Sequence, residues 1–195
     1  GSLDDFGLVV DVHLMGTVNC TKACWDIMRE QAYGRVVVTT SSSGLYGNFG
    51  QTNYGAAKMG VIGLMNTLVQ EGAKYDIRVN ALAPTAGTRM TEGLIPEKAF
   101  ALLTPETVTP AVLYLVSEDA PNRTILCAGA GAYAVARVVE TDGTWLPQEE
   151  QTPEGIAAHW AEITATEGEK APQAGFEQTV KFMGKAATGL GISLD

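Results

Sequence analysis

Residues 35–58, RVVVTTSSSGLYGNFGQTNYGAAK, constrain the fold more than any other stretch of the chain. Val36, Val37 and Val38 form a continuous β-branched run, which suits a strand buried on both faces of a parallel α/β sheet. The run breaks into hydroxyls and glycines from Thr39 to Gly50, and a helix is expected to begin near Asn53 or Tyr54. Ser41 falls at the C-terminal end of the strand, where open α/β sheets present their ligand site. Tyr54 and Lys58 are four residues apart, so a helix places them on one face, one turn from each other.

That arrangement has a chemical reading. A free phenol titrates at about 10, too high for acid–base work near neutrality, and an ammonium one helical turn away favours the phenolate. A phenol tuned in this way can exchange the proton of an alcohol–ketone pair while a serine hydroxyl holds the same oxygen. The carbon-bound hydrogen must leave as hydride, which no side chain accepts, so a nicotinamide is implied. Tyr-x-x-x-Lys alone is a common pattern whose ordinary meaning is a packed tyrosine and a solvated lysine. The serine-rich strand end, with Ser41 thirteen residues before Tyr54, is what favours the chemical meaning.

The stretch resembles the catalytic segment of the short-chain dehydrogenase/reductase family. Residues 44–51, GLYGNFGQ, and residues 84–91, PTAGTRMT, are similar to the (3R)-hydroxyacyl-CoA dehydrogenase branch found in multifunctional enzymes and their bacterial relatives. The similarity runs from about Leu3 to at least Tyr133. It implies that Ser41 binds the substrate oxygen, that Tyr54 is the acid–base group, and that Lys58 tunes Tyr54 and holds the nicotinamide ribose. His13 stands where the wider family usually has an asparagine tying a water to the lysine, so a relay role is implied for it. After Pro84 most members have glycine; here Thr85 follows, and the backbone at Ala86, Gly87 and Thr88 is the implied nicotinamide contact. The cofactor implied is NAD, with NADP not excluded, and the partner a second copy, in a homodimer through the first helix, 3–31, and the helix that carries Tyr54, or a chain supplying the N-terminal half.

The resemblance also defines what is missing. A Rossmann-like doubly wound sheet binds the dinucleotide pyrophosphate on a glycine turn in its first half, and roughly a hundred residues of βαβαβ have no counterpart here. The expected architecture is therefore the C-terminal part of such a sheet over residues 1–140, with a short helical extension, 141–195, packed on the same domain. The apolar edge at Val36–Val38 is expected to be covered by another segment or another chain, and the chain alone to bind NAD poorly.

A net charge of −9 argues against nucleic acid and anionic membrane surfaces as partners. No long apolar run or signal peptide appears and the terminal Ser-Leu-Asp is not a peroxisomal address, so a cytoplasmic setting is expected. Cys20 and Cys24 are expected to be buried thiols on one face of a first helix, 3–31, together with Phe6, Val9, Val10, His13, Thr17 and Ile27. No metal site is expected. Residues 77–83 read as a second buried strand ended by Pro84, and Thr109-Pro110 and Thr152-Pro153 as helix starts. Ala56, Gly60, Gly63 and Thr67 form a stripe of small residues that fits either a strand of the same chain or a partner helix. Residues 129–134, GAGAYA, match the dinucleotide spacing G-x-G-x-x-A, yet the following Val135, Val138 and Val139 favour a strand, so no phosphate site is expected there.

The activity expected is alcohol–ketone interconversion on a 3-hydroxyacyl-CoA. The alternatives are a hydroxysteroid dehydrogenase and a truncated, non-catalytic partner subunit.

Overall fold

The computed structural model describes residues 1–88 and 96–194, which form two compact units, 1–136 and 137–195. The first unit opens with one helical run in three pieces: α1 (Leu3–Val10), a π turn (Asp11–Met15) and α2 (Gly16–Glu30). Ser2 and Asp5 start it with a capping box, each side chain satisfying the other's backbone N–H. There follow β1 (Gly34–Thr39), α3 (Ser42–Tyr46), α4 (Thr52–Gly72), β2 (Ile77–Thr85), α5 (Glu97–Phe100), α6 (Thr109–Leu115), β3 (Ile125–Gly129) and β4 (Ala132–Ala136).

The described strands form one sheet in the order β1-β2-β3-β4, parallel except for the last pair. Alternation along the strands sends Val36, Val38, Ile77, Val79, Ala81 and Ile125 to one face, against Trp25 of α2 and Val61, Ile62, Met65, Leu68 and Val69 of α4. Val37, Leu82, Leu126 and Ala128 take the other face, against Val108, Ala111, Val112 and Leu115. Ile62 and Val61 are sealed from solvent, and each such side chain contributes roughly 1.5–3 kcal/mol. Covering both faces of a largely parallel sheet makes the fold α/β and Rossmann-like.

The first helix departs from the expected face. His13 and Thr17 are half-buried, but Phe6, Cys20, Cys24 and Ile27 are exposed, and Thr21, Trp25 and Met28 turn inward instead. The buried set lies one residue late because the π turn takes up an extra residue before the helix regains the same face. Cys20 and Cys24 are therefore surface thiols.

Pro84 does not end its strand: Pro84 and Thr85 stay in register with Ala128 and Gly129. β1 stops opposite Leu82, so beyond it β2 has a neighbour on one side only, where a missing N–H is tolerated. Among the described residues β1 itself pairs with β2 alone, so the expected cover over Val36–Val38 is not seen; a strand in the first position of the sheet has no second neighbour. Residues 129–132 make a two-residue hairpin turn with Ala130 at φ 51° and Gly131 at φ 75°, so the dinucleotide-like spacing joins two antiparallel strands and opens no helix. Helix α6 begins one residue earlier than its sequence signal, at Thr109 with Val108 as cap.

The second unit contains α7 (Pro153–Ala158), α8 (Trp160–Ile163) and α9 (Gly175–Leu190). Thr152 caps α7 through its hydroxyl, as its position before Pro153 predicts. His159 separates α7 from α8 and bridges Glu150 and Glu162 at 2.9 and 3.2 Å. On α9, Lys181 is bonded to the Thr141 carbonyl at 2.8 Å and Lys185 to the Asp142 carboxylate at 2.7 Å. Among the described residues no helix is long and apolar enough to cross a membrane, and no cluster of metal-binding side chains occurs.

Candidate active site

The site is built where β1 and β2 end. Backbone pairing continues one step past the β1 strand, with the Thr40 N–H donating to the Leu82 carbonyl at 2.8 Å. Ser41 then turns the chain, in extended geometry, as the N-cap of α3; its hydroxyl accepts from the Ser43 N–H at 3.2 Å. Accepting that bond leaves the Ser41 O–H free to donate. Helix α3 lies close on α4 because two glycines permit it. A Cβ on Gly44 would come within 2.8 Å of the Lys58 Cβ, and one on Gly55 within 3.1 Å of the Ser43 carbonyl oxygen.

Tyr54 lies in the first turn of α4 and is half-buried; Lys58, one turn on, is only 7 % exposed. The Lys58 ammonium stands 5.7 Å from the centre of the Tyr54 ring and donates to the Thr39 carbonyl at 2.9 Å. Burial holds that ammonium below the ordinary lysine range. His13 also meets the Tyr54 ring, edge-to-face, with ring centres 5.0 Å apart. Burial, with the Lys58 charge adding to it, keeps His13 below the usual imidazole range and so neutral at pH 7. His13 is held there by the π turn, an irregularity found most often at functional sites.

The structure thus brings His13, Tyr54 and Lys58 into one cluster and sets Ser41 on the adjoining strand end. Pro84 and Thr85 end the neighbouring strand. Ala86 packs into the α6 side of the core, the Gly87 N–H is committed to the Leu103 carbonyl, and Thr88 is exposed. Arg89, Met90 and Thr91, part of the stretch that carried the resemblance, lie outside the described residues.

A strand-end serine, a helical Tyr-x-x-x-Lys and a parallel sheet beneath them agree with a direct match: the short chain dehydrogenase family matches residues 2–99. The chain belongs to that family. It is 48 % identical over 170 residues to a short-chain type dehydrogenase/reductase of Mycobacterium tuberculosis, covering 87 % of this chain and 59 % of that protein. Among solved structures, full-length peroxisomal multifunctional enzyme type 2 from Drosophila melanogaster superposes with a TM-score of 0.85 at 35 % identity, over 97 % of this chain and 35 % of that one. A 3-hydroxyacyl-CoA dehydrogenase type-2 from Mycobacterium avium gives a TM-score of 0.58 at 29 % identity, over 67 % and 57 % of the two chains. This chain therefore spans 59 % of the length of its mycobacterial relative.

The residues of this short-chain dehydrogenase fit the nicotinamide end of a dinucleotide. Lys58 spends one of three ammonium hydrogens on Thr39, so two remain for ribose hydroxyls. The G-x-G-x-x-A spacing, being a hairpin, offers no helix N-terminus to a pyrophosphate. Sequence reasoning missed Thr40, whose hydroxyl is buried and donates to the Lys58 main-chain carbonyl at 2.7 Å.

Proposed function

We propose that this chain carries the catalytic half of an NAD-dependent oxidoreductase that interconverts a secondary alcohol and a ketone on a 3-hydroxyacyl-CoA. One observation carries the reading: the Lys58 ammonium and the His13 ring both stand against the Tyr54 ring, at 5.7 and 5.0 Å from its centre, on the helix that follows a strand-end serine. Ser41 donates to the substrate oxygen and fixes it next to the Tyr54 hydroxyl. Tyr54 takes the alcohol proton during oxidation and returns it during reduction. Lys58 stabilises the charge that develops on the Tyr54 oxygen, and His13 passes the proton on toward solvent. A nicotinamide, when bound, would supply the hydride acceptor, with Lys58 at its ribose and the backbone after Pro84, other than the Gly87 N–H taken by Leu103, at its amide. The acyl-CoA substrate is supported by the matches to a 3-hydroxyacyl-CoA dehydrogenase and to a multifunctional enzyme, and by residues 44–51 beside the site.

The exposed side of the first two helices, with Leu8, Val12 and Ile27, supports a dimer across α2 and α4. Three unpaired cysteines, two of them on the surface, support a reducing compartment such as the cytoplasm.

Tyr54→Phe tests the reading. In the full-length enzyme, 3-hydroxybutyryl-CoA-dependent reduction of NAD should fall by about a hundredfold or more, with NAD affinity nearly unchanged. Turnover that survives in Tyr54→Phe removes Tyr54 from the chemistry. Because the described residues fit the nicotinamide end alone, calorimetry on the 195-residue chain should give no micromolar NAD binding, and such binding would contradict that assignment.

A further inference from the structure

Thr40 is 1 % exposed, one of few polar residues buried among the described residues. A buried hydroxyl costs free energy unless it is bonded, so the residue type is explained by its partner rather than by its volume. That partner is the main-chain carbonyl of Lys58, reached at 2.7 Å from the strand end. A helix carbonyl has two lone pairs, and the hydroxyl takes the one that the intrahelical bond leaves.

The rest of the neighbourhood makes this bond more than a generic tie. The Thr40 backbone N–H is fixed to Leu82 at 2.8 Å, so the residue is anchored in the sheet. The carbonyl of the preceding residue, Thr39, accepts from the Lys58 ammonium at 2.9 Å. Two consecutive residues, Thr39 through its carbonyl and Thr40 through its hydroxyl, therefore hold Lys58 at both ends, its terminal nitrogen and its main-chain carbonyl. Gly44 closes the arrangement by letting α3 approach to where any Cβ would strike the Lys58 Cβ at 2.8 Å. A lysine side chain otherwise loses much rotamer entropy in holding one position, and a grip at both ends confines it in advance.

We infer that Thr40 is a positioning residue, whose hydroxyl sets where the Lys58 ammonium stands relative to Tyr54 and His13. The inference rests on reading Tyr54 and Lys58 as a working pair, but its test does not depend on turnover. Among the described residues, the titratable side chains found against the Lys58 nitrogen are Tyr54 on its own helix and His13 from the first. The measurement is an NMR titration of the lysine side-chain resonances in the complete chain, comparing wild type, Thr40→Val and Thr40→Ser, with melting temperatures alongside.

In wild type the Lys58 signal should titrate below those of the surface lysines. Thr40→Val keeps the shape and deletes the bond; Lys58 should then titrate closer to the surface lysines, and Thr40→Ser should restore the wild-type curve. Should Thr40→Val fail to fold, Thr40→Cys, with a weaker donor of similar size, is read the same way. A folded Val or Cys variant with an unmoved Lys58 curve overturns the inference. In turnover assays normalised to the folded fraction read from the melting curves, Thr40→Val should lower kcat about tenfold with KM little changed, whereas loss of fold alone would leave kcat per folded molecule at the wild-type value. Should Tyr54→Phe remain active while Lys58 shifts as expected, the positioning role stands and the catalytic reading falls.

Discussion

At the scale of residues, the two histidines stand in opposite settings and give opposite pH dependences. His13 is held below the ordinary imidazole range by burial and by Lys58, so the folded state takes up its proton less readily than the unfolded chain. Its contribution to stability is present above about pH 6.5 and is lost as the pH falls from there through the lowered folded value. His159 is held above the ordinary range by Glu150 first and Glu162 second. Its contribution is complete below about pH 6.5 and disappears as the pH rises through the raised folded value. Imidazole proton NMR should show the two curves on either side of the model-peptide position. His159→Gln should cost more stability at pH 5.5 than at pH 8.5, and an equal cost at both would rule out the bridge. Tyr54 and Lys58 were legible because one helical turn is a local relation that spacing alone reports. Thr40 was not: its partner is a main-chain carbonyl eighteen residues away, and main-chain atoms leave no trace in side-chain patterns.

At the scale of elements, α4 was legible nearly to its ends, since an unbroken 21-residue helix keeps one phase throughout. The first helix was legible in extent and misread in phase, because a π turn is not encoded by any one residue type and moves the inward positions to Thr21, Trp25 and Met28 in place of Cys20, Cys24 and Ile27. The small-residue stripe on α4 divides in the structure. A Cβ on Gly60 would meet the Leu14 side chain of the same chain at 3.1 Å, whereas one on Gly63 would meet nothing within 4 Å. Gly60 is thus an internal contact, and Gly63 is the position to probe for a partner. Gly63→Leu should raise the stability of the isolated helix by about 1 kcal/mol through propensity. It should weaken dimerisation by overpacking the contact, as light scattering across a dilution series would read. An unchanged dimer would place the interface elsewhere. At β3–β4 the strand after residues 129–134 was legible from Val135, whereas the hairpin turn before it, with Ala130 and Gly131 at positive φ, was not.

At the scale of the whole molecule, fold class followed from strands whose two faces are both apolar, a property of sequence runs such as Val36–Val38. How many neighbours a strand has does not follow, because backbone groups are the same in every residue. β1 stands first in the sheet with β2 as its partner among the described residues. Its outer row of N–H and C=O groups is a template for another strand. That has a consequence in time rather than in space. Folding of one chain is first order, so its half-time does not depend on how much protein is present. Edge-to-edge capture between two chains is second order, so halving the concentration should cut its initial rate to about a quarter. For the isolated chain, the choice between a usable monomer and an aggregate is then set by dilution at the moment of refolding.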